Sequence, residues 1–272
     1  MPRPSVSVIV PFAGSDAALD SCLAAVGRLE LREGDELLVA DNRPSPRPGL
    51  VDARGPASSY FARDVAARLA TGEWLVFLDA DCVPEPGLLD AYLDPPPGPR
   101  VGVLAGAIED WIDEDTRVAR HIARRRKLDQ ATTLAHPHAP YAQTANAAVR
   151  RAAYEAVGGW PEPIRSGGDA DLCWRLAARD WTLESRPAAR VRHRNRATLR
   201  DLLAQLHRHG AGMRWLDGRH PGAFPPPTHR ARLTRLGLLA RGEWIEFLSQ
   251  WAVDCGRLRR NEGPARPVRS AG

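Results

Sequence analysis

An uninterrupted apolar run that leads into two carboxylates constrains the fold of this chain more than any other feature. Residues Trp74–Leu78 are all large and apolar, and Asp79 and Asp81 follow them with one alanine in between. A run this short, without helical periodicity, predicts a buried strand of a parallel sheet. Because side chains alternate along a strand, we expect Asp79 and Asp81 to point the same way.

Two carboxylates at the end of a buried strand are costly unless a positive group joins them. A hard divalent cation, Mg²⁺ or Mn²⁺, is one candidate, since both ions favour carboxylate oxygens and substrate phosphates. The alternative is an acidic turn without a ligand, because an Asp-x-Asp pattern alone is common.

The first half of the chain predicts a strand–helix–strand unit. Residues 5–11 read as a strand that Pro11 ends, residues 16–29 as a helix, and residues 36–40 as a second strand followed by Asp41. This order predicts a parallel sheet, in which ligands bind beyond the carboxyl ends of the strands. Pro11, Asp41 and the Asp79/Asp81 pair all lie at such ends, so we expect one cleft to collect them.

A second acidic pair, Asp169 and Asp171, opens a predicted helix after two glycines. Asp169 as the N-cap and Asp171 as a first-turn acid would explain both residues without a ligand. Residues 182–192 predict a strand that delivers His193 at its end. A single histidine in such a place is more often structural than a ligand.

The last part of the chain predicts a helical extension over residues 196–261 and a disordered tail over residues 262–272. Leucines recur at helical spacing from residue 199, and Trp244 and Trp251 lie seven residues apart. Packing on the α/β core is the simplest interpretation. An arginine-rich amphipathic surface with tryptophans also suits peripheral membrane contact, so both interpretations stay open.

Bulk properties narrow the class of protein. No stretch of the 272 residues approaches the length of about eighteen apolar residues that a transmembrane helix needs, and the first strand leaves no room for a signal peptide. We therefore expect a cytoplasmic protein. The four cysteines are far apart in sequence, which argues against a structural zinc site and a disulfide framework. The net charge of +5 is compatible with an anionic ligand.

Several different short motifs follow one another along the chain. They are Val8-Ile9-Val10-Pro11, Val39-Ala40-Asp41-Asn42, Ala62-Arg63-Asp64, Thr71-Gly72-Glu73-Trp74, Asp79-Ala80-Asp81, Asn146-Ala147-Ala148-Val149-Arg150-Arg151, Gly158-Gly159-Trp160, Gly168-Asp169-Ala170-Asp171-Leu172 with Arg175, and His193. In this order and spacing they resemble the family-2 glycosyltransferases of GT-A fold, over roughly residues 5–195.

The resemblance implies an α/β, GT-A-like (Rossmann-like) fold with a mostly parallel central sheet flanked by helices. Residues 1–195 would form the glycosyltransferase domain, with the nucleotide-binding part at about 1–110 and the acceptor part at about 111–195. The implied activity is transfer of a sugar from a UDP-, GDP- or dTDP-linked donor to an acceptor hydroxyl, with Mg²⁺ or Mn²⁺ as cofactor. A lipid-linked or glycan acceptor is one interpretation, and we expect no nucleic-acid partner.

The resemblance also assigns residues. Pro11 and Asp41 would line the nucleotide base and ribose, Arg63 would lie near the base or phosphates, and Asp79 would hold ribose or metal-bound water. Asp81 would coordinate the metal, and His193 would complete its site. The residues implied on the acceptor side are Asn146, Trp160, Asp171, Trp174 and Arg175.

Asp169 matches the family's catalytic base, whereas Asp171 is left a structural role because helical neighbours two apart face different ways. A carboxylate that accepts the acceptor's proton in one displacement inverts the anomeric centre. A retaining transferase, a sugar nucleotidyltransferase and a catalytically silent nucleotide-sugar binder remain alternatives. Arg43-Pro44-Ser45 replaces a glycine-serine turn of the family, which leaves the donor base open.

Overall fold

Eight strands form one sheet in the computed structural model, which describes residues 3–125, 129–160 and 163–262. In chain order the strands are β1 (Val6–Phe12), β2 (Glu36–Asp41), β3 (Val51–Asp52), β4 (Trp74–Leu78), β5 (Cys82–Pro84), β6 (Val101–Trp111), β7 (Asn146–Arg150) and β8 (Thr182–Arg194). Their order across the sheet is β3-β2-β1-β4-β7-β6-β8-β5. The α/β class is confirmed.

The sheet is parallel in its first half and mixed in its second. Strand β1 pairs in parallel with both β2 and β4, as the strand–helix–strand pattern predicted. Strand β7 runs antiparallel to both β4 and β6, while β6 and β8 are parallel. Four of the seven described pairings are parallel, so the predicted mostly parallel sheet holds by a small margin.

Helices cover the sheet on both faces and continue beyond it. In chain order they are α1 (Asp16–Val26), α2 (Ser59–Leu69), α3 (Leu88–Leu93), α4 (Arg117–Arg125), α5 (Gln130–Leu134), α6 (Arg151–Ala156), α7 (Gly168–Ala177), α8 (Leu199–Arg219), α9 (His229–Thr234), α10 (Leu236–Ala240) and α11 (Trp244–Gly256). Helix α1 begins where predicted, at the Ser15 cap, and ends three residues earlier than the predicted residue 29.

The apolar run Trp74–Leu78, which forms β4, lies at the centre of the molecule. Every residue of β1 and β4 is buried. Alternate side chains of β4 pack into two separate apolar layers. Leu75 and Phe77 belong to the layer under α2 and α7. Trp74, Val76 and Leu78 belong to the layer under α1 and α3. Burial on both faces is what a continuous apolar strand requires.

The C-terminal helices are held tightly to each other and to the core. A Cβ atom on Gly210 of α8 would lie 2.0 Å from the Val253 carbonyl oxygen of α11, and one on Gly256 would lie 2.0 Å from the His207 carbonyl oxygen. Glycine at both positions therefore lets the two helix backbones approach closely. None of the described helices combines the length and apolarity needed to cross a membrane.

The predicted tail lies almost entirely outside the described residues. Glu262 is described, and it forms a β-bridge with Ile164. Asn261 donates from its side-chain amide to the Ser166 carbonyl oxygen over 2.8 Å. These contacts return the chain to the loop before α7, which a reading of composition alone did not suggest.

Candidate functional site

A cavity of about 620 Å³ opens beyond the carboxyl ends of β1 and β4. Six of the predicted site residues line it, namely Pro11, Arg63, Asp79, Asp81, Asp169 and His193. They come from five separate parts of the chain, and the parallel strands bring them together because their carboxyl ends share one edge. Of the residues expected to share one cleft, Pro11, Asp79 and Asp81 line this cavity and Asp41 does not.

Arg63 is the positive partner of Asp79. The guanidinium of Arg63 on α2 forms an ion pair with an Asp79 carboxylate oxygen and lies 5.3 Å from the centre of the Tyr60 ring. Arg63 is 3% exposed, so the pair is held inside the cavity wall. Burial raises the pKa of Asp79 above its usual value, although the charge of Arg63 opposes the rise. A protein cation thus satisfies one of the two carboxylates.

Asp81 and His193 form the second charged pair of this wall. Strand β5 places Cys82 opposite His193 of β8, and the His193 Nε2 atom lies 3.3 Å from Asp81 Oδ1. Burial acts to raise the pKa of Asp81, but the charge and hydrogen bond of His193, together with the charge of Arg196, lower it. Burial acts to lower the pKa of His193, but Asp81 outweighs it and the pKa is raised.

The donor atoms of this pair suit a divalent cation. Ligand atoms of Asp81, Cys82 and His193 all lie within 4.8 Å of one another. The buried Cys82 thiol donates to the Ala145 carbonyl oxygen, and burial raises its pKa well above the usual range, so it stays protonated. The carboxylate and the imidazole remain, a set that fits Mn²⁺ when phosphate or water oxygens supply the other ligands.

Asp169 faces the same cavity from α7. The helix begins after Gly167, whose φ of 87° places it in the left-handed region, so Gly167 and not Asp169 is the N-cap. The N-cap interpretation of Asp169 is therefore wrong. Thr144 Oγ1 donates to Asp169 Oδ1 over 2.6 Å, which orients the carboxylate at the cavity wall.

Asp171 lies on the opposite side of α7 and does not reach the cavity. Its side chain is 2% exposed and accepts from Arg175 at 2.8 Å, Arg219 at 3.1 Å and His220 at 3.0 Å. Burial acts to raise the pKa of Asp171, but these partners lower it. Asp171 thus joins the end of α8 to α7, a structural role consistent with its position two residues from Asp169.

Besides Arg194, which pairs with Asp113, three arginines that were not predicted from the sequence line the cavity. Arg165 precedes α7, Arg196 follows β8, and Arg208 lies on α8. Within the described ranges, no carboxylate lies in ion-pair distance of any of them, and Arg196 Nε donates to the neutral Gln205 side chain over 3.0 Å. Burial, Arg196 and Arg165 lower the pKa of Arg208. No local pattern distinguishes these three from the many other arginines.

A second cavity of about 280 Å³ continues from the first along Pro11, Arg165 and Arg208, and Asn42 and Ser58 also line it. Asp41 lies beside this region but is fully buried. Its carboxylate accepts from the Arg43 side chain and from the Arg43 and Arg47 backbone amides. The structure therefore does not bring Asp41 to the cavity surface, because Arg43 occupies its oxygens.

The five residues predicted on the acceptor side line none of these cavities. Asn146, Trp160, Trp174 and Arg175 use their side-chain donors on backbone carbonyl oxygens, those of Ala189, Gly168, Ala139 and Gly159 respectively, and Asp171 is held by its ion pairs. Buried polar groups are normally satisfied in this way, so these side chains stabilise the walls. These side chains do not line the cavities themselves, and their role on the acceptor side stays a prediction.

A family model described as glycosyltransferase like family 2 matches residues 51–212 of this chain. Pre-mycofactocin glycosyltransferases from two strains of Mycobacterium tuberculosis are 34% identical over 178 residues, which is 64% of this chain and 37% of theirs. Glycosyltransferase AglE of Haloferax volcanii is 26% identical over 192 residues, covering 65% of this chain and 62% of that protein. The chain therefore spans little more than a third of the length of the mycobacterial relatives.

Solved structures share the fold. A mannosyltransferase from Pyrobaculum calidifontis, in complex with GDP-Man and Mn²⁺, superposes with a TM-score of 0.58 at 20% identity, covering 94% of this chain and 74% of that one. Glucosyl-3-phosphoglycerate synthase from Mycobacterium tuberculosis, in complex with Mn²⁺, UDP and phosphoglyceric acid, gives 0.52 at 19% identity, covering 82% and 80%. Both comparisons support the GT-A-like architecture.

Proposed function

This chain belongs to glycosyltransferase family 2, and from that premise we propose that it transfers a sugar from a nucleotide diphosphate donor to an acceptor hydroxyl with the help of a divalent metal ion. One observation carries the proposal. Asp81 with His193 and Asp169 face the same cavity of about 620 Å³ from different elements. Groups for the leaving diphosphate and for the attacking hydroxyl therefore share one space.

The donor's diphosphate would lie between the Asp79/Asp81 wall and the three arginines. Asp81 and His193 are the residues that would hold Mg²⁺ or Mn²⁺, which supplies a Lewis acid for the diphosphate oxygens when bound. Arg165, Arg196 and Arg208 add positive charge for the nucleoside diphosphate, which becomes more negative as the glycosidic bond breaks. The nucleoside would extend into the cavity of about 280 Å³ that Arg165 and Arg208 also line.

Asp169 would act as the general base. The acceptor oxygen attacks the anomeric carbon, its proton passes to the Asp169 carboxylate, and the bonding pair of the broken C–O bond leaves with the diphosphate. The Thr144 hydroxyl, 2.6 Å from Asp169 Oδ1, would keep the carboxylate aimed into the cavity. One displacement of this kind inverts the anomeric centre.

The alternative activities have weaker support. A retaining transferase would use the same cavity without a proton transfer to Asp169. A sugar nucleotidyltransferase typically has a glycine-rich phosphate loop with a basic residue after the first strand, whereas residues 13–15 after β1 are Ala, Gly and Ser. A catalytically silent nucleotide-sugar binder would not need Asp169 in the same cavity as Asp81.

The proposed domain organisation follows from the same cavity. Residues 1–195 would form the transferase domain, with the nucleotide part at about 1–110 and the acceptor part at about 111–195. The helical extension at 196–261 would not be a separate module, because Arg196 and Arg208 complete the cavity wall.

A ligand screen tests the proposed donor and metal. UDP-, GDP- and dTDP-sugars with Mn²⁺ are expected to raise the melting temperature by about 5–10 °C for the correct donor at roughly 100 times its Kd. The same donor with EDTA in place of Mn²⁺ is the control and should give a much smaller shift. Proton NMR of the product's anomeric signal then separates inversion from retention. If no nucleotide sugar gives a metal-dependent shift, the proposal is wrong.

We also propose that the extension touches an anionic membrane surface at the cytoplasmic side. Trp244 and Trp251 lie seven residues apart on α11, which places them on one face of the helix, and Leu258 follows just beyond its C-terminal end. The three residues are 41%, 57% and 79% exposed. Leu258 is followed by the exposed Arg259 and Arg260, so cations flank the apolar face. This combination complements lipid headgroups and the acyl boundary beneath them.

Sedimentation with vesicles tests this contact. Wild-type protein is expected to sediment with vesicles rich in anionic phospholipid and less with neutral ones. A Trp251→Ser, Leu258→Ser double variant should lose most of this binding, because about 1.5–3 kcal/mol of apolar transfer energy is removed at each position. Leu31→Ser, at an exposed leucine outside the extension, is the matched control. Equal binding by the double variant and the control would refute the contact.

A further inference from the structure

A smaller cavity of about 160 Å³ lies against Asp169 on the side away from the Asp79/Asp81 wall. It shares Tyr60, Gln143, Ser166, Asp169 and His209 with the main cavity. The two spaces therefore meet at the Asp169 carboxylate. A group bound in the smaller one would present an atom to Asp169 from the side opposite the proposed donor.

The remaining walls of the small cavity are apolar. Met213 and Leu216 of α8, Phe224 after α8, and Tyr141 before β7 line it together with Ala170. The rings of this wall are fixed by neighbours: the Tyr141 ring packs edge-on at 6.0 Å from Trp174, and the His136 ring lies 4.7 Å from Phe224. A rigid apolar wall favours a flat ligand with an apolar face.

The small cavity differs from the main cavity in the cationic side chains of its described walls. Among the residues that the structure describes, no arginine or lysine lines it, whereas Arg165, Arg196 and Arg208 all line the main cavity. Arg175 lies on the same helix as Asp169, but it is directed to Asp171 and to the Val157 and Gly159 carbonyl oxygens. An anionic group here would face the Asp169 carboxylate with the His209 imidazole, but no arginine or lysine of the described walls, to offset the repulsion between like charges.

We propose that this small cavity is the acceptor subsite and that it takes a neutral ring with an apolar face, whose hydroxyl reaches Asp169. The inference rests on the proposed transferase function and names its acceptor class. An aromatic alcohol and the apolar face of an uncharged hexoside share this chemistry. In either case the hydroxyl oxygen carried by the ring or by its substituent bonds to the donor's anomeric carbon. The hydroxyl proton passes to Asp169, and the diphosphate leaves with the electron pair of the broken C–O bond.

Matched acceptor probes test the chemistry of the subsite. With the donor found by the screen, 4-(hydroxymethyl)benzamide and methyl glucoside represent the two neutral sources, and 4-(hydroxymethyl)benzoate is the anionic counterpart of the first. We expect transfer to at least one neutral probe and a KM for the benzoate at least about tenfold higher than for the benzamide. Which neutral probe is preferred separates the aromatic source from the sugar source.

Filling the cavity tests its location. Met213→Trp is expected to raise the acceptor KM by about tenfold or more, because the indole would take up space that the ring needs. Ala204→Trp adds the same side chain at an exposed position of α8 and is the matched control. Donor Kd and metal-dependent donor hydrolysis should stay at wild-type values in both variants.

Different failures point to different proposals. An unchanged acceptor KM in Met213→Trp, equal effects of the two tryptophan variants, or preference for the benzoate would overturn the subsite assignment. Donor binding and hydrolysis without transfer to either neutral probe would also overturn it while leaving the donor proposal in place. Absence of metal-dependent donor binding in the wild type would instead refute the proposed function.

Discussion

Asp169→Asn is expected to lower the rate of sugar transfer by roughly 10²- to 10⁴-fold, the range that a general base contributes. The amide keeps the size of the carboxylate but cannot accept the acceptor's proton. It can still accept the Thr144 hydroxyl bond that Asp169 Oδ1 receives at 2.6 Å, so the local structure should persist. The turnover number should therefore fall while the donor Kd stays within about twofold of the wild-type value, about 0.4 kcal/mol. Steady-state kinetics and donor titration measure the two quantities.

Asp171→Asn is the matched comparison, two residues along the same helix. Asp171 is buried among Arg175, Arg219 and His220, so its loss leaves cations without their partner. Removing one member of a buried ion pair costs about 3 kcal/mol or more of stability. We expect Asp171→Asn to lower the midpoint of urea unfolding and Asp169→Asn to leave it nearly unchanged. A catalytically normal Asp169→Asn would remove Asp169 from the mechanism.

Asp81→Asn is expected to weaken metal-dependent donor binding by at least about 10²-fold. Substitutions of residues that only contact a metal ligand usually cost about 10- to 100-fold, and Asp81 would be a ligand itself. The Asp81 side chain is 38% exposed, its Oδ1 lies 3.3 Å from His193 Nε2, and it faces the cavity, so it is placed to give a charged oxygen to a cation. The neutral amide of asparagine is a much weaker ligand for a hard divalent ion than the aspartate carboxylate. Calorimetric titration of the donor, with Mn²⁺ and with EDTA, measures the effect.

The control for this variant is Asp52→Asn, which alters an exposed ion pair with Arg54 away from the cavity. Its donor affinity in Mn²⁺ should equal that of the wild type, and its stability should change by less than about 1 kcal/mol. In EDTA, Asp81→Asn and wild type should bind the donor equally weakly, since the difference between them depends on the metal. A difference that persists in EDTA would mean that Asp81 contacts the donor directly.

Local sequence patterns were sufficient for the main strands and for the acids at their ends. The runs that became β1, β2 and β4 were predicted because continuous apolar residues have few other stable arrangements in a soluble α/β chain. Strand β8 was predicted at residues 182–192 and extends to Arg194, which places His193 inside the strand beside Cys82. The predicted end of β8 differs from the observed end by two residues. The pairing of His193 with Cys82 nevertheless explains how His193 reaches Asp81.

The placement of individual polar side chains could not be predicted in the same way. Asp41 was expected at the nucleotide, but the guanidinium of Arg43 occupies its carboxylate. Asn146, Trp160, Trp174 and Arg175 were expected near the acceptor, and the structure shows that each donates from its side chain to an internal carbonyl oxygen. The bonds of Asn146 and Trp174 join residues far apart in sequence, so no local spacing encodes them. The Arg43–Asp41 pair is local, but an Asp-x-Arg spacing does not by itself show that the two side chains bond to each other.

By itself, the sequence determined the α/β class, the edge of the sheet where a ligand is expected, and Asp79 and Asp81 as acids at that edge. These features depend on strand alternation and apolar periodicity, which act between near neighbours. Asp169 was assigned to the site only through the family resemblance, because its local pattern also fitted a helix cap. The tertiary structure alone decided that Arg63 neutralises Asp79, that three further arginines line the same cavity, and that a small, largely apolar cavity adjoins Asp169. The first feature arises where α2 packs beside the end of β4, and the other two arise around β8, α7 and α8. Packing between segments distant in sequence is not encoded in any single stretch of the chain.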